Sequence, residues 1–414
     1  MNWRAAAAIF RIVVLAVLLA TPGAWAATAA QVLAAGRPAL LPPSAPSARP
    51  QEPFIDIASR AAAAREEGRT EEALALYRRA LVARPDWDEG RWYLGAMLYE
   101  LDRYAEAADG FSEVLRHQPS HAGALGMRGL CEFQLRRYDT ALADLLKARA
   151  AGVAQSPGIA TVVRYHAAIL LTRFGEFESA NQMLTEFAAE GTETPQVLEA
   201  FGTNVLRMPV LPEEVQPEAR ERVMLAGRAG YAVAARLTGA ARLALDELVA
   251  RYPAHPNVHY VRGVFLLTDD PDGALDEFRR ELEISPAHVP ARLQIAFEYL
   301  KRGDASSART PATEAVALAP DHFATRLALG QVMLESDDPK NALSELEKAA
   351  TLAPGSPQAH FLLARGYTRL GRSREAERAR AEFTRLDQLS RAARHGQQSI
   401  GGIPSAGSGL VHPQ

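Results

Sequence analysis

Cysteine is all but missing from this chain of 414 residues, and the one present, Cys131, can form no disulfide within it. A chain without paired cysteines takes its stability from packing, and Cys131 reads as core filler. An excess of either charge is missing too: 46 basic residues face 49 acidic ones, for a net charge of -3. That leaves no global field to gather nucleic acid or anionic lipid, so no nucleic-acid partner is expected. Alternation of apolar and polar residues, the mark of half-buried strands, is absent. So are the short motifs that encode catalysis or cofactor binding: a glycine-rich phosphate loop ending in Lys-Ser or Lys-Thr, a nucleophile elbow, a paired-histidine zinc helix and a Cys-x-x-Cys pair. The expectation is a protein that is not an enzyme, with no catalytic residue, no cofactor and no metal.

No apolar run near the N-terminus is long enough to cross a bilayer, which takes roughly 18 to 20 residues. The run from Ile12 to Ala20 is preceded by Arg4 and bounded by Arg11, and Ala24-Trp25-Ala26 offers a small-x-small cleavage site. Residues 1–26 therefore read as a secretory signal peptide, with Ala27 beginning a mature chain that is periplasmic or extracellular and has no transmembrane segment. Arg4 and Arg11 are not adjacent and no cysteine lies near the cleavage site, so neither a twin-arginine route nor a lipid anchor is expected. Residues 27–53 form a Pro/Ala-rich linker, since Arg37-Pro38, Pro42-Pro43-Ser44 and Ser47-Ala48-Arg49-Pro50 block helix. Residues 395–414, with Gly401-Gly402 and Ser405-Ala406-Gly407-Ser408-Gly409, read as a disordered tail.

What the chain does have is a period. Ala73, Ala107 and Ala141 are evenly spaced, and Ala274, Ala308, Ala342 and Ala376 keep the same step, as do Pro85 and Pro119, then Pro286, Pro320 and Pro354. A fixed interval of about 34 residues means stacked supersecondary units in place of one closed globule. Apolar residues recur at three- and four-residue steps, so each unit should be two amphipathic helices joined by a short turn, an all-α fold. Gly303, between the apolar stretch Leu293 to Leu300 and the segment Ala308 to Leu318, fits the left-handed position that ends a first helix.

The pattern resembles the tetratricopeptide repeat, in which small residues fall at the eighth, twentieth and twenty-seventh positions, a large apolar one at the eleventh, and proline near the thirty-second. Residues 289–322 supply Ala296, Tyr299, Ala308, Ala315 and Pro320 in those places; residues 323–356 supply Gly330, Met333, Ala342, Ala349 and Pro354. Residues 54–87 match through Ala61, Ala73, Tyr77, Ala80 and Pro85, and 88–121 through Gly95, Leu98, Ala107, Phe111 and Pro119. Weaker copies cover 122–155, 161–194, 222–255, 256–288 (one residue short) and 357–390. The resemblance implies a right-handed α-solenoid with an N-terminal array at 54–194 and a C-terminal array with an end-cap helix at 222–394. Between them, residues 195–221 read as an irregular helical insertion or hinge: Met208-Pro209-Val210-Leu211-Pro212 breaks the pattern and leaves the helix before it without an evident partner. Pro311 falls inside an expected second helix, where it deletes a backbone hydrogen bond and costs about 3 kcal/mol unless the helix bends.

His117 and His121, and His255 and His259, sit four apart, but Pro119 and Pro256 intervene. His121, His255, His288 and His322 each stand two places after a proline, in the same inter-repeat turn. A turn role is expected for them rather than metal binding. The acidic turns Asp269-Asp270-Pro271-Asp272-Gly273 and Ser336-Asp337-Asp338-Pro339 lack the alternate ligands of a calcium loop and read as helix caps. The arginines from Arg365 to Arg394 are interleaved with Glu375, Glu377, Glu382 and Asp387, which favours ion pairing along an end-cap helix.

In the family the first helices line the concave surface and hold extended peptides. Carried over to this chain, the groove positions are Trp92, Tyr99, Phe133, Tyr165, Tyr260, Phe297 and Phe361. Rigid aromatic rings suit protein recognition, though they also serve packing. A terminal-carboxylate clamp is disfavoured, because lysine is confined to Lys147, Lys301, Lys340 and Lys348 and no Lys/Asn set falls on the groove. The expected function is a protein- or peptide-binding scaffold or adaptor of the cell envelope; the alternative is a structural component of an envelope or polysaccharide export complex.

Overall fold

The computed structural model describes residues 53–155 and 157–400, with side chains throughout except at 155–157, 390 and 392–400. The expected signal peptide, nearly all of the linker and residues 401–414 lie outside the described residues. Among the described residues there are 19 α-helices, two short 3-10 turns (Val153–Gln155 and Pro212–Glu214) and no strand. The chain divides into two compact units between Ala244 and Leu245.

Unit 1 is built of successive hairpins: α1 (Phe54–Glu66) with α2 (Thr70–Ala83), α3 (Asp88–Glu100) with α4 (Tyr104–His117), α5 (Ala122–Gln134) with α6 (Tyr138–Ala150), α7 (Pro157–Arg173) with α8 (Phe177–Ala189), and α9 (Pro195–Val205) with α10 (Pro217–Ala234). Helix α11 (Thr238–Arg251) contains the division. Unit 2 pairs α12 (Val258–Leu266) with α13 (Pro271–Ile284), α14 (Val289–Lys301) with α15 (Ala305–Leu318), α16 (Phe323–Glu335) with α17 (Pro339–Leu352), and α18 (Pro357–Arg369) with α19 (Ser373–Ile400). Helix α19 runs on past Arg394, so 395–400, expected to begin the tail, are helical.

The letter that recurs once per repeat lies where the paired helices cross. Ala73, Ala107, Ala141, Ala274, Ala308 and Ala342 are all 0 % exposed. The small residue of the first helix faces them: a Cβ on Gly129 would lie 3.2 Å from the carbonyl oxygen of Ala141, and one on Gly330 would lie 3.4 Å from that of Ala342. Helix axes approach closely only where crossing side chains are this short. The turns follow the local chemistry. Gly303 takes φ +75°, the left-handed conformation that costs glycine nothing. Arg136, Arg207 and Arg236 occupy the same region at other helix ends without that freedom, with φ of 60°, 50° and 59°. Asp270, Asp304 and Asp338 accept from the backbone N–H three residues on, at 3.0, 3.0 and 3.4 Å, so the acidic turns are helix caps.

Helix α9, which sequence left without a partner, packs against α10 through glycine on glycine. A Cβ on Gly202 would meet the carbonyl oxygen of Val223 at 1.9 Å, and one on Gly227 would meet that of Leu198 at 1.9 Å. The irregular segment between them is anchored. Leu211 and Val215 are buried, Glu214 accepts from the Leu211 N–H at 3.0 Å, and Arg173 at the end of α7 bonds to Glu214 while lying over the Tyr138 ring. Pro311 is accommodated inside α15, which runs unbroken from Ala305 to Leu318 with Ala308, Ala312 and Ala315 buried.

Candidate functional site

Within each unit the first helices of neighbouring hairpins touch: α3 with α5, α5 with α7 and α7 with α9 in unit 1, and α14 with α16 and α16 with α18 in unit 2. Among second helices, α8 and α10 make comparable contact. Within each unit the first helices thus form a continuous layer, the one on which the resemblance places the groove.

The seven aromatic residues expected there are placed unequally. Trp92, Tyr165, Tyr260 and Phe361 share the fifth position of their repeats. Trp92 packs edge-on against Phe111 of the second helix at 5.4 Å and lies 5.7 Å from the His121 ring; Tyr260 repeats the arrangement with Phe278 at 5.9 Å and His288 at 4.8 Å. Phe361 packs on Phe383 at 5.6 Å but remains 47 % exposed. Tyr99 is buried against Tyr104, and burial raises its phenol above the ordinary range. Phe133 and Tyr165 are brought onto one ring, His166, at 4.7 and 5.4 Å; burial drives that imidazole down to about 4, so it stays neutral. Phe297 is half-buried against Leu293 and Ala315. Most of the set therefore serves hairpin packing, and Phe361 is the member most open to a partner.

The histidines and arginines act as the turns require. His121 and His288 are N-caps, each accepting through Nδ1 from the N–H three residues on at 3.0 Å. The arginines of the last two helices pair at short range: Arg372 with Glu375, Arg385 with Glu382 and Arg391 with Asp387, while Arg365 reaches Glu335 at 2.8 Å. Cys131 is buried, and burial pushes its thiol up to about 12, which makes it inert filler.

The tetratricopeptide-repeat pattern matches residues 59–115, 98–157, 227–289 and 293–357, and a second pattern of the same description matches 333–394. The chain belongs to the tetratricopeptide-repeat family. It is similar to a human protein named protein O-mannosyl-transferase TMTC3, at 24 % identity over 266 residues, 61 % of this chain. The chain spans 28 % of that relative's length. Among solved structures it is similar to MamA 41-end from Desulfovibrio magneticus RS-1, at 20 % identity and a TM-score of 0.36, covering 42 % of this chain and 96 % of that one. Another structure of MamA protein shares 13 % identity at a TM-score of 0.37, covering 45 % and 98 %. No helix among the described residues is long and apolar enough to cross a membrane.

Across the tetratricopeptide array a polar strut recurs that sequence reasoning missed. Arg91, His259, Arg326 and His360 each bond to the carbonyl oxygen of the turn proline six residues earlier, Pro85, Pro253, Pro320 and Pro354. Three of them also reach an acid on the second helix: Arg91 to Glu113 at 3.9 Å, Arg326 to Glu345 at 2.5 Å, and His259 to Glu277 at 2.5 Å. Those three tie the inter-repeat turn to both helices of the next hairpin, and His360 ties it to the first helix alone. At α12 the strut is unusually enclosed, with His259 and Glu277 both 5 % exposed. Beside it Glu281, 0 % exposed, accepts from the N–H groups of Asn257 at 2.8 Å and Tyr260 at 3.2 Å. The usable signal was Glu281 itself, a glutamate at the place where Ala80, Ala148, Ala315 and Ala349 stand in other repeats.

Proposed function

We propose that this chain is an exported, non-enzymatic scaffold that seats an extended segment of a partner protein on its first-helix layer and works as an adaptor of the cell envelope. Protein interaction is the general role of a tetratricopeptide array. The observation that carries the finer reading is Phe361, a large aromatic at a groove position left 47 % exposed on a rigid helix, where Trp92 and Tyr260 are folded into the packing. An exposed anchor of this kind contributes to binding by entering a partner's pocket or receiving an apolar side chain. Export rests on the pattern of residues 1–26. The mannosyl-transferase name belongs to a relative of which this chain spans 28 %, and no transfer chemistry is assigned to the chain from it.

The test is affinity capture from the organism's own envelope fraction with the mature chain and with Phe361→Glu. A partner retained by the first and lost by the second, with unchanged circular dichroism, supports the groove. Equal capture by both removes Phe361 from the account. Intact mass of the envelope form checks export: a chain beginning at Ala27 is expected.

A further inference from the structure

We infer that the turn leading into α12 is a pH-sensitive joint, closed while His259 carries both ring protons and loosened when it gives one up. The inference stands apart from the groove reading and concerns the array itself.

The protonation follows from geometry. His259 Nε2 faces the Pro253 carbonyl oxygen at 2.9 Å, which can only accept, so that nitrogen carries a proton. Nδ1 faces Glu277 Oε2 at 2.5 Å, while the other oxygen of that carboxylate receives Arg280 at 3.0 Å. A carboxylate already holding an arginine is ionised, so Nδ1 must donate as well and the ring is an imidazolium. In two other repeats the same pair of contacts is made by Arg91 and Arg326, which hold their charge at every relevant pH. At α12 the strut is titratable, and it is buried.

The surrounding charges support this state. Arg262 of α12 is held by Asp246 of α11 at 2.9 Å; Glu277, Arg280 and Glu281 face the ring from α13; in the turn, His255 bonds the Pro256 carbonyl at 2.8 Å; and from α14, His288 Nε2 donates to Asn257 Oδ1 at 2.9 Å. The Glu277 hydrogen bond outweighs burial and holds the His259 imidazolium above its ordinary 6.5. Burial works upward on Glu277, but His259 and the two arginines outweigh it and hold the carboxyl below 4.5. A base with a raised folded value stabilises fully below about 6.5, and that contribution is lost as pH rises through the folded value. An acid with a lowered value contributes above about 4.5 and loses it on the acid side. Burial raises Glu281 above its ordinary 4.5, while the N–H groups of Asn257 and Tyr260 pull the other way and favour the ionised acceptor. The joint is complete when His259 is charged.

The test is amide hydrogen exchange of the full chain between pH 6 and 9, corrected for the intrinsic rate, together with the titration of the His259 ring by NMR. Protection at Asn257 and Tyr260 should fall with rising pH in the native chain and stay level in His259→Arg. Glu277→Gln, which keeps the shape and removes the charge, should lower the titration point of the His259 ring in the folded protein. A native His259 that titrates at or below 6.5, or the same loss of protection in native and His259→Arg chains, would overturn the joint.

Discussion

Glu281 stands where neighbouring repeats carry alanine, yet replacing it by alanine should destabilise. Its carboxylate is the acceptor for two backbone N–H groups at the start of α12, and a buried donor without its acceptor costs about 1 to 3 kcal/mol. Glu281→Ala should therefore lower the denaturation midpoint of unit 2 although it restores the repeat's usual residue; an unchanged midpoint would remove the capping role. Arg326 makes the same point for the struts. It holds both the Pro320 carbonyl and Glu345, with side chains 15 % and 13 % exposed. Burial pushes Glu345 upward, but Arg326 and Lys348 outweigh it and keep the carboxyl below its ordinary 4.5. That contribution exists above about pH 4.5 and is lost as pH falls through the folded value. Arg326→Met should cost about 1.5 to 3 kcal/mol near neutrality and flatten this part of the acid dependence, as urea titrations at pH 3 and 7 would show.

At the scale of elements, the α9–α10 crossing leaves no room for a side chain. Gly202→Ala would drive a Cβ to 1.9 Å from a carbonyl oxygen, and backbone cannot yield as a flexible side chain does. The expected cost is about 1 to 3 kcal/mol or more. Gly110 in α4 is the control: its nearest neighbour to an added Cβ is 3.7 Å away, so Gly110→Ala should stabilise by up to about 1 kcal/mol. Thermal melts of the two variants should shift in opposite directions. Pro311 leaves the Ser307 carbonyl without its helical donor, and Pro311→Ala should raise the melting temperature. The period made the hairpins legible because the repeating alanine is itself the contact between helices. It concealed the α9–α10 pair, since Gly202 and Gly227 are closer in sequence than one period and fall out of step with it. It concealed the α12 joint for a related reason: the repeat 256–288 is one residue short, and the chain closes the gap with Asn257 at φ +70° and a buried glutamate, a solution that depends on tertiary neighbours. The groove aromatics were legible as positions but not as surfaces, because whether Trp92 faces solvent or Phe111 is decided by packing.

At the scale of the whole molecule, stability in such an array is a sum of unit and nearest-neighbour terms, so what matters in a deletion is register more than length. Removing residues 323–356, one full period, joins the end of α15 to the start of α18 with the same faces presented, and the shortened chain should still unfold cooperatively. Removing residues 339–356 takes out α17 alone, strips α16 of its partner and should leave non-cooperative melting with lost helicity. Comparable melting of the two would contradict nearest-neighbour stacking.

The left-handed arginines at the helix ends carry a practical consequence. An L-residue forced into that region costs roughly 1 to 2 kcal/mol that glycine escapes. Arg136→Gly and Arg236→Gly would relieve this cost at connectors and leave every interhelical seam untouched. The fold thus holds unused thermostability in its corners, open to protein engineering without redesign of a single helix.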